Sequence, residues 1–222
     1  MNALRHPLRH ALNIVVRAHA AVLVLALALG LAACSSPQAP PPQYYELRLD
    51  VPAAAAAPAL PASVPADGAA DVWQLMAPVK LPEYLDRDVL WLPVGTAGLQ
   101  PLPGHRWAEP LTDAVPRILL HDLALLRGPG QVWSGALPSN LAVSHQLRVQ
   151  ILELSVAGDR RSVQLAARCS LSSAGGGAGA APRIVDIRLS AASQGGEPDA
   201  LVAAHRLALW KLAQEMVRVL RP

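Results

Sequence analysis

Ser162-Val163-Gln164-Leu165-Ala166-Ala167-Arg168-Cys169-Ser170-Leu171 decides the fold class. Val163, Leu165, Ala167, Cys169 and Leu171 fall on one side of an extended chain, and Ser162, Gln164, Arg168 and Ser170 on the other. That period of two belongs to a half-buried strand. Upstream, Leu147, Val149 and Ile151 alternate with Arg148 and Gln150, and Leu152-Glu153-Leu154 then shifts the phase, as a bulge or a strand end does. Gly158-Asp159 marks the turn between the two runs. Downstream, a Gly/Ala/Ser hairpin loop over 172–182 leads to Val185, Ile187 and Leu189 opposing Asp186 and Arg188. Three alternating strands in succession predict an antiparallel meander with one wet face.

Elsewhere the period lengthens. Val115, Leu119, Leu123 and Leu126 step by four, four and three, which predicts a helix over 111–127. Thr112 is its expected cap, Asp113 suits the positive end of its dipole, and Pro116 sits early enough for a missing N–H to be tolerated. Gly128-Pro129-Gly130 ends it. A terminal helix is expected over Pro198–Leu220, with Leu201, Ala208, Leu212, Met216 and Val219 or Leu220 on its inner side. Earlier in the chain, strands are expected at 44–50, 71–79 and 88–92, with a short return strand at 99–102. The expected fold is α+β: a two-layer α/β sandwich, a mostly antiparallel sheet with two main helices packed on one face.

The N-terminus carries a different message. Arg5, Arg9 and Arg17 precede an apolar run from Ala20 to Leu31, and the chain continues Leu31-Ala32-Ala33-Cys34-Ser35. A basic stretch, a short apolar stretch and small residues before the cut describe a signal peptide over 1–33. The alternative is an uncleaved membrane helix. Twelve apolar residues rise about 18 Å at roughly 1.5 Å each, short of the ~30 Å hydrocarbon core. Leu-Ala-Ala-Cys resembles the lipobox of bacterial lipoproteins. That resemblance implies cleavage between Ala33 and Cys34, a diacylglycerol thioether on Cys34 and a third acyl chain on its amine. Three chains give permanent anchoring. Ser35 in place of Asp resembles the outer-membrane sorting pattern of Gram-negative lipoproteins.

Behind the anchor, residues 34–43 form a Pro-rich tether, stiff through polyproline II geometry. Residues 44–222 read as one domain, interrupted by a low-complexity Ala/Pro loop over 51–70. The precursor carries 19 Lys and Arg against 16 Asp and Glu, but the signal holds three arginines and no acid. The mature chain is therefore formally neutral, without the basic face that a nucleic-acid partner requires. Cys169 alone remains after Cys34 is spent on lipid, so no internal disulfide framework is expected.

Chemistry-bearing patterns are absent. His105, His121, His145 and His205 show no metal-ligand spacing, and no cofactor is expected. His121-Asp122 lacks a Gly-x-Ser-x-Gly partner, and the glycines at 175–179 lack the Lys of a phosphate loop. Cys169 reads as a core residue. A non-catalytic protein is expected.

Two motifs supply a function. Val79-Lys80-Leu81-Pro82-Glu83-Tyr84-Leu85-Asp86-Arg87, followed by His105-Arg106-Trp107-Ala108-Glu109-Pro110-Leu111, resembles the PqiC/YmbA family of auxiliary lipoproteins for ABC-type intermembrane transport. The stretch from Ala200 to Leu212 is similar to that family's closing helix. Departures are Trp91-Leu92, where relatives tend to carry a polar residue and Arg, and the Ala/Pro loop. The resemblance implies an outer-membrane lipoprotein facing the periplasm, a non-catalytic component of an MCE/ABC-type phospholipid transport system. Its implied partner is an MCE-domain protein of the inner membrane that builds a periplasmic tunnel; self-association is left open. Tyr84, Arg87, Trp107 and Glu109 stand out as motif residues, either scaffolding or partner contacts. A periplasmic carrier with its own acyl-chain pocket between sheet and helices is the alternative.

Overall fold

The computed structural model describes residues 17, 19, 40–53, 55, 71–139, 141–175 and 181–220. Ala33 and Cys34 lie outside them, as do residues 56–70 of the Ala/Pro loop and 176–180 of the Gly-rich hairpin loop. The chain divides into the units Met1–Pro41 and Pro42–Pro222, and the fold below is that of the second.

Among its described residues, eight strands and two helices run in the order β1 (Gln43–Tyr45), β2 (Trp73–Leu75), β3 (Val89–Val94), β4 (Gly98–Trp107), α1 (Leu111–Arg127), β5 (Val132–Ser134), β6 (His145–Val156), β7 (Ser162–Ser173), β8 (Arg183–Ala192) and α2 (Pro198–Val219). The meander is present. β6, β7 and β8 pair antiparallel, with Val149 opposite Cys169 and Cys169 opposite Val185. The phase shift read at 152–154 is a bulge, where the register slips between Ile151 and Glu153. The five-stranded sheet has the order β5-β2-β6-β7-β8, and α1 and α2 pack together against it. The fold is α+β.

Within that fold, several details differ from expectation. The strands form two sheets, the second ordered β1-β4-β3, and both are mixed because β1 runs parallel to β4 and β2 parallel to β5 and β6. The strand expected over 71–79 is cut to three residues. Its continuation meets the cis Ala77-Pro78 bond, and beyond it Lys80 makes only a single bridge to Gln150. The return strand, by contrast, is long. Trp91–Val94 pair in register with Pro101–Gly98, Val89 pairs with Arg106, and the residues between Pro101 and Arg106 form an irregularity around Gly104, whose φ of 75° suits a residue without Cβ.

α1 spans the expected residues, but Pro110 rather than Thr112 holds the cap position. The Thr112 hydroxyl instead donates to Asp86 Oδ1 at 3.3 Å. At its other end Arg127 donates to the Asp71 carboxylate and carbonyl, both at 2.7 Å, and lies 3.8 Å above the Trp73 ring. His145 adds a 2.9 Å contact to Asp71. Burial raises the Asp71 carboxyl, but Arg127 and His145 outweigh it and hold the group below its usual range.

α2 is the centre of the domain. All its expected inner residues are buried except Val219, which is half-buried beside a buried Leu220. In addition, every residue from Ala204 to Trp210 is buried, so the helix is covered on all sides there. Trp73, Trp210, Ile118, Leu147 and Leu154 fill the space between sheet and helices. Cys169 lies among them, and burial pushes its thiol up to about 12.

Candidate functional site

The two motifs fold against each other. The Pro82-Glu83-Tyr84-Leu85 stretch makes a 3-10 turn over Glu83–Leu85 that buries Leu85. The Tyr84 hydroxyl donates to the Leu154 carbonyl at 3.4 Å, and the Tyr84 carbonyl accepts the Trp91 indole N–H at 2.7 Å. Trp91 thus braces the motif. Asp88 then joins the second motif twice: its carboxylate pairs with Arg106 at 2.7 Å, and its carbonyl accepts the Trp107 N–H at 2.7 Å. The Trp107 ring is buried and meets His205 edge-on, with centroids 5.4 Å apart. Arg87 is exposed, and no described group pairs with it.

Glu109 acts through another residue. It pairs with Arg117 on α1, and Arg117 also donates to the Leu47 carbonyl at 3.2 Å. Leu47 opens a stretch, 47–50, that the sequence pattern assigns to a strand. The structure instead holds it as a strap across the helices. Arg206 Nε donates to the Arg48 carbonyl at 2.7 Å, and Arg206 Nη2 reaches the Leu49 carbonyl at 3.4 Å. Arginine side chains thus take the carbonyls that a ladder would otherwise satisfy.

The same Arg206 makes a two-point pair with Asp122 of α1, at 2.7 and 2.6 Å. Asp122 is fully buried. Burial pushes its carboxyl up, while Arg206 and then His121 pull it back. Both carboxylate oxygens are engaged, so the Asp122–Arg206 pair joins the two helices and the strap. Sequence reading missed this pair, although its signal was present. Asp122 sits three residues from Leu119 and Arg206 three from Leu209, each charge on the apolar side of its helix.

Beside the strap lies an open cleft of about 1170 Å³ between Gln43–Ala53 and the N-terminal half of α2. Its apolar lining includes Val51, Val202, Ala203 and Leu207, and its charged lining Glu46, Arg48, Asp50, Asp199 and Arg206. Tyr44, 63% exposed, stands at its edge. Tyr45 behind it is fixed by a 2.8 Å contact from its hydroxyl to His105 Nδ1. None of the motif residues Tyr84, Arg87, Trp107 and Glu109 lines this cleft. Among the described residues no group of three or more His, Cys, Asp or Glu could hold a metal ion. Among them, too, no helix is long and apolar enough to cross a membrane.

Residues 49–217 match the family described as the ABC-type transport auxiliary lipoprotein component. The chain belongs to this family. Solved structures carry the fold of the auxiliary lipoprotein at low sequence identity. One uncharacterised protein superposes with a TM-score of 0.61 at 17% identity, covering 82% of this chain and 100% of its own. A protein from Xanthomonas campestris superposes with a TM-score of 0.54 at 15% identity, over 67% of this chain and 82% of its own. Among curated proteins, none matches the chain. Within the family match, the motifs Val79–Arg87 and His105–Leu111 form the clasp described above, next to the first turn of α1.

Proposed function

We propose that the protein is an outer-membrane lipoprotein, anchored through Cys34 after cleavage behind Ala33. It serves as the non-catalytic auxiliary component of an MCE/ABC-type phospholipid transport system, docking a periplasmic tunnel to the outer membrane. The observation that carries this reading is the family match across 49–217, joined to the Leu-Ala-Ala-Cys sequence and Pro-rich tether ahead of the domain. The geometry supports it over the carrier reading. A carrier needs room for an acyl chain between sheet and helices, and large buried side chains such as Trp73 and Trp210 fill that layer. In this reading Tyr84, Trp107 and Glu109 support the fold, and exposed Arg87 is free to meet a partner.

The test is Cys34→Ala in the full chain, expressed in a deletion strain. The variant should leave the outer-membrane fraction and fail to restore membrane integrity at similar abundance, while its domain still captures the MCE-domain protein. Full complementation by the unlipidated form, with no MCE-domain protein recovered by crosslinking, refutes the proposal.

A further inference from the structure

The cleft beside the strap meets β1 in an unusual way. Gln43, Tyr44, Tyr45 and Glu46 all line it, four residues in succession. A strand shows alternate residues to each of its faces, so a continuous lining means that the cleft runs along the edge of β1. Among the described residues, β1 is an outer strand of its sheet, with only β4 beside it. The Tyr45 carbonyl accepts the Ala108 N–H at 2.8 Å, and Tyr44 lies opposite Arg106 in the parallel register. Backbone groups alternate in direction along a strand, so the N–H and C=O of Tyr44 face away from β4, on the open side. An edge of this kind is a template for one more strand.

The surroundings of that edge select what can lie on it. Opposite β1 the wall is apolar, built from Val202, Ala203 and Leu207 of α2. The charges are unbalanced. Glu46, Asp50 and Asp199 line the cleft, and none of the three is in an ion pair among the described residues. The Arg206 charge is already matched by Asp122, which leaves Arg48 against three carboxylates. Such a wall repels anionic lipid headgroups and attracts cations. At about 1170 Å³ and open along its length, the cleft also exceeds the ~300–1,000 Å³ of an ordinary small-molecule pocket.

We infer that this cleft receives an extended segment of a partner protein, bearing basic and apolar residues in alternation, which adds as a strand to the free edge of β1. The inference rests on the docking role proposed above and gives that role a surface and a partner chemistry. Backbone pairing at Tyr44 supplies the register. The apolar residues of the segment cover Val202 and Leu207, and its basic residues meet Glu46, Asp50 and Asp199.

The probe is a fluorescein-labelled heptapeptide of alternating Lys and Val, titrated into the full mature chain in detergent and followed by anisotropy. Two variants test separate parts of the geometry. Glu46→Lys with Asp199→Lys reverses two exposed charges. Tyr44→Pro removes the outward N–H together with the Tyr44 ring and leaves the bonds to β4 in place, so it is read against a Tyr44→Ala control that removes the ring alone. The peptide should bind the unaltered chain, a Glu-for-Lys counterpart should not, and each variant should weaken binding at least tenfold with an unchanged circular dichroism spectrum. No binding of the Lys peptide, or equal binding by the variants, overturns the inference. Binding to phosphatidylglycerol vesicles that the variants abolish would assign the edge to a lipid surface and overturn it. Self-association lost in the variants would assign it to a second copy, with the same consequence. Co-precipitation of the MCE-domain protein separates the two levels. Retention by both variants leaves the docking role standing without this cleft, whereas no recovery by the unaltered chain removes the docking role itself.

Discussion

Acidification should weaken this fold through one side chain, His205. The ring is buried against Trp107, with its Nδ1 2.8 Å from the Leu201 carbonyl. Burial, only partly opposed by that hydrogen bond, lowers the His205 imidazole from 6.5 to about 4. The unfolded chain therefore takes up a proton near pH 6.5 that the folded chain refuses until about pH 4. Stability is full above the unfolded value and falls as pH drops through this window. At 1.36 kcal/mol per unit, the loss approaches about 3 kcal/mol overall, of which about 2 kcal/mol has gone by pH 5. The assay is urea unfolding of the unit Pro42–Pro222 at pH 7 and pH 5, where the midpoint should fall by about 1 M. His205→Phe keeps a ring against Trp107 and removes the titration. Its midpoint should change little between the two pH values. Asp122, whose carboxyl burial raises, has the opposite sign, but it is common to both chains and cancels in the comparison. A flat profile in the unaltered chain, or the same slope in His205→Phe, refutes the reasoning.

Two further outcomes follow from the core. Arg206→Leu should cost about 3–5 kcal/mol, because it strands the buried Asp122 carboxylate and releases the strap carbonyls. The double variant Arg206→Leu, Asp122→Leu should recover a good part of that in the same unfolding assay, and equal losses would show that the charge pair is not the cause. Cys169, wholly buried and with a thiol pushed up to about 12, should react with a maleimide far more slowly in the folded chain than in denaturant; equal rates would contradict its placement.

The meander and both helices were legible because each buries one side, so hydrophobic period and accessible surface agree: Val163 to Leu171 is the plainest case. What escaped did so for physical reasons. Pro101, Pro103 and Gly104 hid most of β4, since a strand that departs from a regular ladder need not avoid residues that break one. The strap looked like a strand because Tyr45, Leu47 and Leu49 alternate with Glu46 and Arg48, but the groups that satisfy its carbonyls come from Arg117 and Arg206, 70 and more positions away. Period carries no information about such partners. The motifs Val79–Arg87 and His105–Leu111 were visible as motifs, but their mutual clasp through Asp88, Arg106 and Thr112 is long-range and could not be read from spacing. The cleft was hidden for the same reason, since Tyr44 and Asp199 are brought to it from opposite ends of the domain.

The position of α2 in the chain sets an order of events during synthesis. α2, in which every residue from Ala204 to Trp210 is buried, is made after all the other described strands and helices. Until it arrives, α1 has no partner for Asp122, the strap has no Arg206 to hold it, and the five-stranded sheet has an uncovered apolar face. Contacts between the first and last strands of sequence close only after the intervening loops have been ordered, which is slow. A nascent chain that lacks α2 therefore cannot close its core and stays open at the ribosome. This architecture delays closure of the core until α2 has been made, and keeps the chain threadable up to that point.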